Sequence, residues 1–345
     1  MSVRTARRRI LALAAIPAFA GLVVVGAAVL PSAQGAARGA AKPAALHQTG
    51  RVALGTTSDV FRNAFTESPD GKLFYSRGSV VYVVTGTAKP AVALHAGGRV
   101  LALAANDSDV FVLTGLRVTE YSRSNGAAVG HWTLSSPVTP ITAAGLLSVG
   151  TTLWAWTDWS TDSSGFEYAN LSRIVTTSPA VHVVDKLAFP ADMAANASGL
   201  YYQDVRGVAQ ITSLVHVTSA GVVHARSLKN VDSPTALSAG RLELLSFHGN
   251  HQNLDTYSPA TLARISSARV SSDDRMIAGT SIGLLVLAEP CSGVACAAAT
   301  VSELSVGGLT TGAVSVPDAV MLLPGPGPAV IEDAGGHMFL VRFGS

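Results

Sequence analysis

An all-β fold, a seven-bladed β-propeller, is the class that this sequence predicts, and three observations predict it. Short runs of alternating apolar and polar residues recur in groups of four, about forty residues to the group. Asp-Gly, Ser-Gly and Gly-Gly pairs punctuate the runs, where glycine supplies the positive φ of a hairpin turn. The last group is one run short, while a run near the start, Gly50 to Thr56, has nothing local to pair with. Charged residues make up 13% of the chain against 48% hydrophobic, which suits many short strands packed face to face.

The first unit is "FTESPDGKLFYSRGSVVYVVTGTAKPAVALHAG", Phe65 to Gly97. Asp70-Gly71 turns the chain into "KLFYS", Arg77-Gly78-Ser79 turns it back into "VVYVVTG", and "AVALHAG" is the outer strand. From Val100 the runs are "VLALAAN", "DVFVLTG", "RVTEYSR" and "AVGHWTL"; from Ile141 they are "ITAAGLLSVG", "TTLWAWTDW", "ANLSRIVTT" and "AVHVVDKL". Units beginning at Ala191, Thr235 and Met276 follow, and the last begins at Ala319. "GRVALGT" is expected to supply the outer strand of that last blade, so that the ring closes and leaves no missing edge. Residues 50–345 then form one domain, preceded by a linker at 42–49 and a separate segment at 1–41. Two β-sandwiches would need a Pro/Gly/Ser-rich break between halves, and the sequence has none.

That first segment reads as an export signal. Arg4, Arg7, Arg8 and Arg9 precede the apolar run Ile10–Leu30, and the small-residue stretch "PSAQGAARGAA" follows. The run is also long enough to span a bilayer as an apolar helix, so a retained anchor competes with cleavage near Ala33–Ala41. Arg7-Arg8 followed by Ile10-Leu11 resembles a twin-arginine signal, and a general secretory signal is equally open. No cysteine lies near the segment, which excludes a lipoprotein-type acyl anchor. The expected location is extracytoplasmic, secreted or at the cell envelope; the alanine-rich, arginine-over-lysine composition points to a bacterium of high GC content. Cys291 and Cys296, in "EPCSGVACAA", are then expected to form a disulfide that staples a small loop. Neither a Cys-x-x-Cys redox pair nor a four-ligand zinc pattern is present.

Two stretches carry family resemblances. "SPDGKLFYS" resembles the Ser-Pro-Asp-Gly-Lys start of several propeller repeats, among them the surface-layer-type YVTN and periplasmic Trp-Asp-like repeats. "LWAWTDW…ANLSRI" is similar to the "LWFTE…N-x-IGRI" pattern of the streptogramin (virginiamycin B) lyases, with Trp154, Thr157, Asn170, Arg173 and Ile174 on matching types. The resemblance implies a propeller over most of Arg51–Ser345. In the lyase family a glutamate and histidines act with magnesium to open a lactone ring by elimination, and the Glu-x-His pairing of that family is absent here. Quinoprotein-like propellers share the shape, but their repeated tryptophan docking motif is absent too.

Propellers present ligands mainly to the loops that join second and third strands. On the parsing above that rim carries Trp156, Asp158, Trp159, Asp162, Glu167 and Tyr168 in blade 3, and Asp204 and Arg206 in blade 4. Blade 5 adds His248, Asn250 and His251, blade 6 Glu289 and the cysteine loop, and blade 7 Glu332, Asp333 and His337. An aromatic, acidic and histidine-bearing rim suits a small polar ligand, a glycan or a peptide. Each piece has a plainer reading. His248 and His251 have metal-ligand spacing but sit in a Gly-Asn turn, Trp154 and Trp156 share a strand face suited to packing between blades, and "TDSSGFE" lacks a calcium-loop pattern. No nucleophile elbow, P-loop, dinucleotide fingerprint or zinc-protease helix appears, and no cofactor is expected.

The leading expectation is therefore an exported, monomeric propeller that binds an envelope protein, a glycan or a small polar ligand. A metal-dependent lyase or hydrolase using His248, His251 and Glu332 is the alternative, and a membrane-tethered structural envelope protein is a third. No Lys/Arg stripe with interleaved aromatics follows the N-terminal segment, so nucleic acid is not expected as a partner, and membrane contact only through that segment.

Overall fold

The computed structural model describes residues 47–56, 64–86, 88–135, 144–161, 167–187, 191–206, 211–228, 235–238, 241–248, 251–270, 274–279, 284–288, 291–292, 295–296, 300–304, 310–316, 319–323, 329–333 and 336–344. The segment expected to direct export lies outside these residues, as do Asp162, Asn250 and Glu289. Among the described residues no helix is long and apolar enough to cross a membrane.

The chain folds as a seven-bladed β-propeller of seven four-stranded antiparallel sheets; blades 1 to 6 are meanders, and blade 7 takes its outer strand from the N-terminal side of the chain. Their innermost strands are Phe65–Glu67, Val100–Ala105, Ala144–Val149, Ala191–Asn196, Thr235–Ser238, Asp274–Gly279 and Ala319–Leu323. From blade 1 to blade 7 each of these lies beside the innermost strand of the next blade. Alternation along a strand sends successive side chains to opposite sheet faces, so each blade has an apolar face for each neighbour. In blade 4, Leu200 and Tyr202 pack against blade 3, while Tyr201 between them packs against blade 5. Among the described residues the buried apolar side chains form seven clusters, one in each seam between adjacent blades. The core is thus a ring of radial layers.

The ring closes as expected. The strand His47–Thr56, which begins a little before the expected Gly50, pairs antiparallel with His337–Gly344 and is the outer strand of blade 7. Leu54 from this strand joins Val330, Met338 and Leu340 of blade 7 and Leu73, Tyr75 and Val84 of blade 1 in the closing cluster. Arg77, at the end of the second strand of blade 1, donates from Nε to the Leu54 carbonyl at 2.7 Å. Its guanidinium lies 5.7 and 5.6 Å from the Tyr75 and Tyr82 ring centroids, and those rings stack at 5.3 Å. Gly55 makes this approach possible: at φ 130° it accommodates a backbone few side chains adopt, and a Cβ there would meet Arg77 Nε at 3.0 Å.

Two further features behave as local chemistry dictates. Asp70 of the Ser-Pro-Asp-Gly-Lys turn accepts from Ser68 Oγ at 2.6 Å and from Arg123 of blade 2 at 2.5 Å, with Lys72 Nζ 3.0 Å away. Those bonds, the Ser68 hydroxyl foremost, hold its carboxyl well below the usual carboxylate range. The repeat's signature residue is therefore a clip between blades. Trp154 is buried in the seam between blades 3 and 4 with Trp156 packed partly buried beside it, so both serve packing. Gly145 lies opposite Trp156, and any Cβ there would fall 2.2 Å from the indole Nε1.

Between the second and third strands of blade 6, Cys291–Ser292 pairs antiparallel with Ala295–Cys296, with Cys291 and Cys296 as Cα partners. Directly opposite residues of an antiparallel pair have Cα atoms about 4.5 to 5.5 Å apart, and both spacings are within disulfide range. In a sample purified without reductant, intact mass is expected to fall by two hydrogens relative to the reduced protein. Changing both cysteines to serine is expected to cost about 2 kcal/mol, read by urea unfolding. An unchanged mass on reduction would refute the bond.

Candidate functional site

The residues expected to form a ligand rim occupy the ends of second and third strands. In blade 3, Asp158 and Trp159 lie in the last part of the second strand, Thr152–Thr161, and Glu167 and Tyr168 begin the third, opposite Thr161 and Ser160. Arg206 closes the second strand of blade 4, and in blade 5 His248 ends the second strand and is the Cα partner of His251, which begins the third. Glu332 and Asp333 end the second strand of blade 7, and His337, which is exposed, begins its third. Asp204 differs from expectation in one respect: it is buried, 3% exposed, and does not project from a rim. Among the described residues no three His, Cys, Asp or Glu side chains cluster as a metal site would require.

A different site emerges at the other end of the strands, between blades 4 and 5. Tyr201, His216 and His224 are direct partners across the second, third and fourth strands of blade 4, Gly199–Arg206, Ile211–Thr218 and Val223–Ser227. The Tyr201 and His216 rings stack with centroids 4.4 Å apart and planes 10° from parallel, and the His224 ring follows at 6.1 Å. His216 is 7% exposed, and its Nε2 lies 3.2 Å from the Ser198 carbonyl oxygen. A carbonyl only accepts, so Nε2 carries the proton and Nδ1 the lone pair. Burial pushes the imidazole pKa down, the Ser198 carbonyl opposes this, and His224 adds to it, so His216 is neutral at pH 7.

Above this ladder lies an open groove of about 480 Å³. Blade 4 lines it with His216, Thr218, His224, Ala225 and Arg226, and blade 5 with Ala260, Thr261 and Leu262 from the turn between its third and fourth strands. Leu262 adopts φ 54°, unusual for a residue with a bulky side chain and costing on the order of 1–2 kcal/mol. Its side chain is 4% exposed in the apolar seam cluster, and its N–H donates to the Ser258 carbonyl at 2.8 Å. Burial of the leucine holds the strained turn in place over the groove.

Beneath the groove the seam is polar. Asp255, 1% exposed, accepts from Ser246 Oγ at 2.9 Å and lies 3.6 Å from Arg264 Nη1. Burial, with the Asp255 charge second, pushes the Tyr257 phenol up, while Arg264 and Arg226 pull it down. On the opposite face of blade 5, Glu243 alternates with Leu242 and Leu244 and so points with Leu245 toward blade 6. It is 2% exposed, Oε2 has no hydrogen-bond partner among the described residues, and burial raises its pKa to about 7 against a weaker opposing pull from Arg241.

Sequence reasoning missed the groove residues because it searched the other rim. A signal was present: the turn at Ser219-Ala220-Gly221 is centred on Ala220, so a tight hairpin there must pair His216 with His224.

No family model matches the sequence, and no curated protein matches it. Among solved structures the chain is similar to the tricorn protease, with a TM-score of 0.57 and 11% identity over 85% of this chain and 35% of that one. It is also similar to BBS1N, solved in complex with ARL6DN, with a TM-score of 0.51 and 12% identity over 86% of this chain and 96% of that one. PorZ, an essential bacterial surface component of the type-IX secretion system of Porphyromonas gingivalis, matches with a TM-score of 0.50 and 14% identity over 88% of this chain and 39% of that one. The chain spans about a third of the tricorn protease chain it matches. At these identities the likeness is one of fold: a β-propeller.

Proposed function

We propose that this protein is an exported binding module of a bacterial cell envelope, with the propeller as a rigid platform for a ligand. The observation that carries the reading is the groove between blades 4 and 5: a strained turn held over an open, partly polar depression. Strain held in place by burial marks a position kept for something other than stability. The arginine-rich start with its apolar run favours export, and a bacterial surface role has precedent on this fold in PorZ.

Two measurements test the two parts. In a bacterial host, the protein is expected in the envelope or medium fraction, and deletion of residues 1–41 is expected to retain it in the cytoplasm. For binding, thermal unfolding of the purified protein is followed against glycans, small lactones and divalent metals, with and without chelator. A ligand that binds only the folded state raises the midpoint by mass action, by several degrees at a hundredfold excess over Kd. A shift from glycans alone supports the module. A shift that needs metal and is lost in His248→Ala/His251→Ala, together with turnover of a lactone, would replace it with the lyase reading.

A further inference from the structure

We propose that the groove between blades 4 and 5 binds its ligand through a phosphate or carboxylate group. This rests on the reading of the protein as a binding module and names the chemistry of what it binds. The groove presents donors. Arg226 supplies a guanidinium, whose fork of N–H groups matches an oxyanion. Thr218 Oγ1 already accepts the Val222 N–H at 3.0 Å, and Thr261 Oγ1 accepts the Ala263 N–H at 3.3 Å. An oxygen that accepts from its own turn directs its hydrogen elsewhere, so both hydroxyls are set to donate. His224 adds an exposed imidazole beside them.

Among the described residues no Asp or Glu lines the groove, and Asp255, buried in this seam, is engaged by Ser246 and Arg264. Donors and a guanidinium without a balancing carboxylate attract an oxyanion and repel a cation. Two features make this a built site. His216 is more than nine-tenths buried and forms part of the wall, fixed in place by its stack on Tyr201 and its bond to Ser198. Leu262, its side chain anchored in the seam, fixes the strained turn that borders the groove on the blade 5 side. A volume of about 480 Å³ exceeds what a bare phosphate fills, so the ligand has a body, of sugar-ring size or somewhat larger.

Calorimetric titration of the purified protein with sodium phosphate and, separately, sodium glucuronate, at fixed ionic strength, tests the assignment. At least one is expected to bind with a Kd in the millimolar range or tighter. Arg226→Gln is expected to weaken that binding at least tenfold with an unchanged thermal midpoint, since Arg226 is exposed. Thr261→Val is expected to weaken it severalfold. Arg117→Gln, at an exposed arginine of blade 2, is expected to change nothing. Which titrant binds decides between phosphate and carboxylate. The proposal is overturned if neither binds, if Arg226→Gln binds as the wild type does, or if Arg117→Gln loses as much as Arg226→Gln. A thermal shift from neutral glycans with blank oxyanion titrations overturns the anion assignment and leaves the module reading standing.

Discussion

Glu243→Gln is expected to stabilise the protein at pH 8 by about 3 kcal/mol relative to its effect at pH 4. In the unfolded chain this carboxyl ionises near its ordinary value of 4.5, and in the folded protein near 7. Each unit of difference corresponds to about 1.4 kcal/mol, which gives the magnitude. Because the folded value is the higher one, the folded state holds its proton over a range where the unfolded state has lost it. Stability from this group is therefore complete below about pH 4.5, falls as pH rises toward 7, and stays at its reduced level above that. Glutamine has the same shape and no charge at any pH, so the variant lacks this slope. Urea unfolding of both proteins at pH 4.5, 6 and 8 checks it. Parallel stability profiles would show that Glu243 keeps its ordinary pKa in the folded state.

Leu54→Ala is expected to cost about 3 kcal/mol, in the range of large-to-small changes in well-packed cores. Leu54 has no solvent exposure and sits where blades 7 and 1 meet. The substitution leaves a cavity in a seam held by one added strand, so relaxation there is opposed by Arg77, which is bonded to the same residue's carbonyl. Val52→Ala, on the same strand but only partly buried, is expected to cost less than half as much. Urea midpoints for the two variants give the comparison. If Leu54→Ala unfolds at the wild-type midpoint, the closing strand is not part of the cooperative unit.

The blades were legible in the sequence because strand alternation and hairpin glycines are local signals. "KLFYS", turned by Asp70-Gly71 and Arg77-Gly78, contains its own register, and the unmatched run near Arg51 implied a partner elsewhere. What each polar residue faces is not local. Asp204 reads as a loop residue because it stands near the end of a strand, and it is the folded ring that leaves it buried. Glu243, inside "RLELLSF", reads as the solvent side of an amphipathic strand, yet a propeller blade has a neighbour on each face. The His216–His224 pair followed from hairpin symmetry, but the wall completing the groove comes from a turn of the next blade, with Leu262 in a conformation its residue type does not announce.

The closing strand also governs when folding can finish. His47–Thr56 is synthesised before every blade, and its partner His337–Gly344 after nearly all of them. Until the later strand exists, the earlier one has nothing to pair with, and blade 1 shows an uncovered apolar face. Bringing segments so distant in sequence together is among the slowest kinds of contact to form. A polypeptide interrupted anywhere before His337 keeps both open edges and remains a substrate for proteases and for strand-to-strand aggregation. Circular closure therefore acts as a completeness check, making durability a property of the finished chain alone.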